Sequence, residues 1–337
     1  MEKKGITIVL VVICTLLVIA LFAPFYIYKN YFSPASAASR NVKVEIKSGS
    51  TATQVAKMLE EREIIRSKLA FSIVARYAGQ SARLKAGEYE LDPSMSAAEI
   101  LDVLVEGRVV LYSVTVQEGL TIWQTAKTIA AQGFSDYDSL VNAAGDPAIL
   151  QLFKIDAPNA EGYLMPETYR FNKGATAVEI ISKMIFTFSK KVEPLRKKYQ
   201  DSSPLSFGEI VILASIIDKE TGNIEEYDLI SAVFHRRLKK KMLLQADPTV
   251  IYAIPDFDGN IRKEDLEIDS PYNTYKYRGL PPGPIANPGL KAIEAAYRPA
   301  DADYLYFVAT KKDGRHYFSR TLVEHNEAVK KYQLRRR

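Results

Sequence analysis

Apolar residues run almost without a break from Ile6 to Tyr28, with Thr7, Thr15 and Pro24 as mild exceptions. A bilayer core of about 30 Å takes about 20 such residues as a helix. Lys3 and Lys4 precede the run, so the positive-inside bias predicts a cytoplasmic N-terminus and an extracytoplasmic remainder. Ala35-Ser36-Ala37 resembles a signal-peptide cleavage site. The apolar run, however, exceeds the roughly 7–15 residues of a signal core and ends well before that site. An uncleaved anchor over residues 1–30 is the favoured reading, and the soluble part is exported on either one.

Tyr31 to Arg40 is small and polar, a linker over residues 31–41. The pattern then turns to period two. Val44 and Ile46 alternate with polar residues, followed by Gly49, Thr51, Gln54, Ala56 and Lys57. Seventy positions later Val114, Val116, Gly119, Thr121, Gln124, Ala126 and Lys127 repeat the pattern without a gap. Each copy predicts a strand, a glycine turn, a threonine N-cap and a helix. Between them, Lys85–Tyr89 predicts another strand and Met95–Leu101 another capped helix. A duplicated unit of this kind serves as a binding module or as plain scaffold.

From about Asn159 the texture changes. Val178–Tyr199 has a helical pattern, and Ser206 with Glu209 forms a capping box that opens a second helix. That helix, Ile210–Ile217, is apolar nearly all round and is therefore expected in a core. It should stop at Asp218-Lys219-Glu220-Thr221-Gly222, with Gly222 as the C′ residue. Leu244–Tyr252 reads as a turn leading into an apolar strand. Gly279–Ile285 reads as stiff extended backbone suited to lining a cleft.

Composition narrows the class. The 337 residues are 47% apolar and 25% charged, ordinary for a globular chain of two modest domains. Net charge is +5, carried in short runs such as Lys239–Lys241 and Arg335–Arg337, with no basic stripe interleaved with aromatics. No nucleic-acid partner is expected. Cys14 is the only cysteine, and His235, His316 and His325 lack metal-ligand spacing, so neither a metal nor a cofactor is expected.

The candidate chemistry sits at the end of the buried helix. Helical steps back from Glu220 reach Ile217, Ile216 and Leu213, which places Glu220 on an aliphatic stripe. Burial and the negative end of the helix dipole both resist its ionisation. A carboxyl protonated near neutral pH suits general acid catalysis. Asp218 lies about 200° away around the axis, on another face. Locally, Glu220 could equally end a helix in solvent. Gln245, Asp247, Thr249, Tyr252, Asn273 and Tyr275 combine aromatic rings with amide, hydroxyl and carboxylate groups, which suits a sugar site. Each could also be ordinary turn chemistry.

Several motifs occur in fixed order: Glu161-Gly162-Tyr163, Pro166-Glu167-Thr168-Tyr169, Ala214–Thr221, Arg237-Leu238, Leu244–Thr249, Tyr272–Tyr275, Gly279–Gly283 and His316–Ser319 with His325-Asn326. Together they resemble the endolytic murein transglycosylases of the YceG-like family over essentially the whole chain. The resemblance implies an α+β protein: an N-terminal transmembrane helix, a LysM-like repeat region over 42–158, and a mixed α/β catalytic domain over 159–337. It maps the catalytic Glu onto Glu220, gives Asp218 and Ser215 supporting roles, and puts Glu167 with the substrate-binding residues. Family members often carry Glu at the position of Asp218, so the acid is not assigned there. The implied activity is endolytic cleavage of the MurNAc–GlcNAc bond of nascent peptidoglycan strands, leaving a 1,6-anhydro end. Implied partners are the glycan strands, the cell membrane and peptidoglycan synthases. Two alternatives are a muramidase-type hydrolase using Asp247 or Glu167 as second carboxylate, and a non-catalytic wall-binding scaffold.

Overall fold

The computed structural model describes residues 2–310 and 314–334, with residues 2–9 and Ser202 as backbone alone. The run Arg335–Arg337 and the side chains of Lys3 and Lys4 lie outside that description. The described chain is a mixed α/β protein with an apolar N-terminal helix, and it separates into two compact units.

The first unit comprises residues 1–112 and 170–174. Helix α1 (Glu2–Phe32) includes Leu10–Phe32, of mean hydropathy 2.7 and exposed except near its end, where Tyr31 is buried. At 1.5 Å per residue these 23 residues reach about 34 Å, long and apolar enough to cross a membrane. Strand β1 (Val42–Ile46) is followed by α2 (Ala52–Glu61), α3 (Lys68–Tyr77), β2 (Gly87–Leu91) and α4 (Ala97–Glu106). The antiparallel pair β1–β2 has Val44 opposite Tyr89 and Val42 opposite Leu91. Alternation turns Val44, Ile46, Tyr89 and Leu91 inward onto Leu59, Phe71, Ile100 and Leu104. Each of these fully buried side chains contributes on the order of 1.5–3 kcal/mol, and Leu59→Ala would cost roughly 2–5 kcal/mol.

The second unit comprises residues 113–169 and 175–337. Its elements are β3 (Tyr112–Thr115), α5 (Ile122–Ala130), α6 (Tyr137–Ala144), α7 (Pro147–Leu152), β4 (Thr168–Phe171), α8 (Ala177–Tyr199), α9 (Phe207–Glu220), α10 (Tyr227–Lys239), α11 (Asp247–Ala253), α12 (Leu290–Tyr297), β5 (Tyr306–Ala309), β6 (His316–Ser319) and α13 (Leu322–Val329). β3 pairs with β4, and the chain crosses between units within these strands. Helix α9 is the core. Ile210, Val211, Leu213, Ala214, Ile216 and Ile217 have no exposed surface, and α12 lays Ala292, Ala295 and Ala296 in the same core.

Both copies of the repeat form as expected. Gly49 and Gly119 adopt left-handed φ of 80° and 73°, and Thr51/Gln54 and Thr121/Gln124 each close a capping box. The copies fall in different compact units, the second beginning at Ser113. The physical reason is local. The Ile122 N–H at the start of α5 donates to both Glu161 carboxylate oxygens at 3.1 Å. The Gly119 N–H donates to the Asn287 carbonyl at 3.0 Å.

Two local expectations are corrected. Residues 247–253 form helix α11 where a strand was expected; Pro248 in its first turn is preset for helical φ and gives up no needed N–H. Helix α9 ends on Thr221 in extended conformation (φ −148°), and Gly222 is not left-handed. The Thr221 hydroxyl accepts from the Asn223 N–H at 3.0 Å and starts a new turn, which replaces a glycine cap.

Candidate active site

Glu220 is the last residue of α9, one turn beyond Ile216 and Ile217, as the aliphatic stripe predicted. It opens onto a cavity of about 450 Å³. The walls come from Arg237 on α10, Leu244 and Gln245 before α11, Asp247 at its start, Tyr275, Phe307–Ala309 on β5, His316 on β6, and His325, Val329 and Gln333 at the C-terminal end. Burial first, and the Asp247 charge second, push the Glu220 carboxyl up to about 8, with Arg237 pulling the other way. Its carboxyl has no hydrogen-bond partner among the described residues. It is thus a protonated acid at neutral pH, with its proton uncommitted.

Arg237 braces this cavity. Its guanidinium donates to the carbonyls of Leu305 at 2.7 Å and Leu244 at 2.9 Å and to Gln245 Oε1 at 3.3 Å. It also lies 5.1 Å from the Tyr306 ring centroid. Gln245 is held at φ 51°, an uncommon conformation for a residue with a side chain, and its N–H donates to the Thr274 carbonyl at 3.1 Å. The Tyr275 hydroxyl donates to Asp247 Oδ1, which fixes the carboxylate that acts on Glu220.

The other expected site residues lie around this group. Thr249 and Asn273 are fully buried. Thr249 shares a hydroxyl–hydroxyl bond of 2.8 Å with Thr274. Asn273 donates to the Leu266 and Ile268 carbonyls and accepts from the Tyr275 N–H, all at 2.9 Å. Neither side chain lines the cavity; their bonds position Gln245 and Tyr275. Ser215 is likewise buried; it donates to the Ile212 carbonyl and accepts from the Ile285 N–H at 3.0 Å, tying the proline-rich segment to α9. That segment does not line the cavity. Tyr252 also lies off the lining, donating to Glu161 Oε2 at 3.3 Å and packing between Trp123 and Tyr272. Glu167 is ion-paired to Lys191, away from Glu220.

Asp218 points elsewhere, as the 200° step required. Tyr227 donates to its Oδ1 at 2.6 Å. Burial raises its pKa, against the Tyr227 bond, the Gly289 N–H and Lys219. Glu118 lies beside it and is raised by burial and then by the Asp218 charge. A Cβ at Gly289 would overlap the Glu118 carboxyl, so a side chain there would push that carboxyl aside.

Three cavity residues, Arg237, His316 and His325, carried no assigned role from sequence. Nothing in their spacing links them to Glu220; only their place in the ordered motifs marked them. The His325 ring stacks on Tyr306 at 5.2 Å, with its Nδ1 buried and unpartnered among the described residues. Burial, and then Arg237, lowers its pKa.

Residues 44–331 match the YceG-like family. The chain belongs to it. A relative from Bacillus subtilis, named endolytic murein transglycosylase, is 36% identical over 320 residues, covering 90% of this chain and 88% of that protein. A Streptococcus pneumoniae protein of the same name is 32% identical over 329 residues; the match covers 88% of this chain and 59% of that longer protein. A 2.6 Å crystal structure of a YceG-like protein from Listeria monocytogenes is also similar, at 36% identity and TM-score 0.59. That match covers 86% of this chain and 99% of the other.

Proposed function

We propose that this YceG-like protein is a membrane-anchored lytic transglycosylase that cuts peptidoglycan glycan strands internally. The observation that carries the reading is the Glu220 carboxyl, its pKa pushed up to about 8 and without a hydrogen-bond partner among the described residues, on the wall of a cavity of about 450 Å³. Glu220 gives its proton to the glycosidic oxygen between MurNAc and GlcNAc, and the C1–O bond breaks. The MurNAc C6 hydroxyl attacks C1, and its proton passes back to Glu220. The acid is regenerated, no water is consumed, and a 1,6-anhydro ring closes. A general acid–base group contributes roughly 10²–10⁴-fold to such a step.

Asp247 keeps the acid protonated, Arg237 and Tyr275 hold the wall, and the repeat copies support or position the glycan. Helix α1 anchors the chain with the catalytic unit outside the cell membrane, where nascent strands from peptidoglycan synthases are within reach and cleavage terminates their growth. One observation favours a second reading, hydrolysis: Asp247 is a carboxylate in the same cavity as Glu220. The test of the proposed activity is incubation of detergent-solubilised full-length protein with purified sacculi. Soluble glycan fragments should be released by the wild type and not by Glu220→Gln. Equal release by the folded variant would overturn the assignment of Glu220.

A further inference from the structure

His316 enters the cavity from β6 with one face of its ring already committed. Glu226, in the turn between α9 and α10, accepts the His316 backbone N–H through Oε1 at 2.9 Å and meets Nδ1 through Oε2 at 2.8 Å. Both side chains are only 10% exposed, so solvent competes little for either bond. With Nδ1 donating to Glu226, a neutral ring carries its lone pair on Nε2. Phe307 stands edge-on to the ring at 90° and 5.4 Å, which fixes its plane. What remains is Nε2. It has no partner among the described residues, and its ring lines the same cavity as Glu220.

We infer that His316 is a glycan-binding residue whose Nε2, aimed by Glu226, accepts a hydrogen bond from a hydroxyl or acetamido N–H of the sugar chain. A purely bracing role would need only the backbone N–H and Nδ1. It gives no reason for a second ring nitrogen, held by a carboxylate and an aromatic edge, to face open space. The arrangement is the one by which a carboxylate orients a working imidazole. No hydrogen bond joins His316 to Glu220 among the described residues, so its contribution is to hold substrate and not to transfer the reacting proton. The inference rests on the cavity being the glycan site.

The test separates the two ring nitrogens in the full-length protein, with glycan strands freed of stem peptides as substrate. Asn at 316 can keep the Nδ1-like donor to Glu226 but lacks anything at Nε2, whereas Gln reaches the Nε2 position. His316→Asn should raise KM about tenfold with little change in kcat, the signature of lost uniform binding. His316→Gln should recover part of that loss. An unchanged KM in a folded His316→Asn protein overturns the inference, while failure of the wild type to cleave would overturn the glycan reading itself. If the Asn variant does not fold, the ¹⁵N resonance of His316 Nε2 can be followed in the Glu220→Gln protein. Adding the same strands should shift it, and no shift at saturation rejects the contact.

Discussion

Asp247 opposes the ionisation of Glu220 from the same cavity wall, and Tyr275 holds Asp247 in place by donating to its Oδ1. The Glu220 carboxyl therefore owes its proton to burial first and to this neighbour second. Removing either group has a different consequence for the reaction and for the fold.

Glu220→Gln preserves shape and removes the transferable proton. Turnover on sacculi should fall by roughly 10²–10⁴-fold. Asp218→Asn should cost less, because that side chain bonds Tyr227 on another face of α9. Equal losses in two folded variants, measured by fragment release, would mean that both acids act on substrate.

The acid form of Glu220 sets the alkaline limb of activity. kcat/KM should fall as pH rises through about 8, and Asp247→Asn should move that limb to lower pH by removing the repulsion. Stability follows with the same sign. A carboxyl with a raised native pKa costs nothing below the ordinary carboxylate range, and its cost grows as pH climbs toward 8. Glu220→Gln should therefore melt higher than wild type at pH 8, by up to about 4 kcal/mol and less as groove water reaches the carboxylate. The two should converge near pH 4. A constant difference across that range would contradict the raised pKa.

Much of this site was legible in the order of residues. The stripe Leu213, Ile216, Ile217, Glu220 is a local helical fact, and so is the turn that sends Asp218 to another face. The capping boxes of both repeat copies are equally local. Contacts made across long sequence distance were not legible: His316 with Glu226, Arg237 with Leu305, Glu161 with the start of α5. No spacing rule reports such pairs, because tertiary packing decides them. The same cause hid the partners of Thr249 and Asn273, whose polar groups bond Thr274 and backbone carbonyls. Helix α11 was missed because an apolar run of that length fits strand and helix alike, and Pro248 was the deciding signal.

Glu118 and Asp218 form a like-charged, shielded pair at Gly289, the start of α12. Both native pKa values are raised, so each carboxyl holds its proton in the fold after the unfolded chain has lost it. The pair costs no stability at acid pH and an increasing amount as pH rises above the ordinary carboxylate range. Glu118→Gln should raise the melting temperature relative to wild type at about pH 8 and leave it near wild type at about pH 4. A variant that lowers the melting temperature at both pH values would show Glu118 acting as an ionised cap for α12 instead.

The anchor reading predicts an orientation. Protease added outside spheroplasts should digest the chain beyond about Tyr31 and leave a membrane-embedded stub containing Leu10–Phe32. Protection of the soluble part until the membrane is lysed would reverse the topology. A mature N-terminus near Ala38 would show cleavage of the segment.

The chemistry of the new bond distinguishes transfer from hydrolysis. The Glu220 carboxyl in this cavity is pushed up to about 8, and no hydrogen bond among the described residues ties up its proton. Asp247 is already engaged by Tyr275 and spends its charge on Glu220. A carboxylate so placed is poorly free to activate water, whereas the MurNAc C6 hydroxyl needs only the base that Glu220 becomes after giving up its proton. Digestion of sacculi in ¹⁸O-labelled water should therefore yield glycan ends that carry no label and resist borohydride reduction. Those ends should be lighter by one water than hydrolysed ends. Labelled, reducible ends as the main product would show that water attacks, with Asp247 as the base that directs it. Asp247→Asn would then abolish turnover, where the transfer reaction requires only that it shift the alkaline limb.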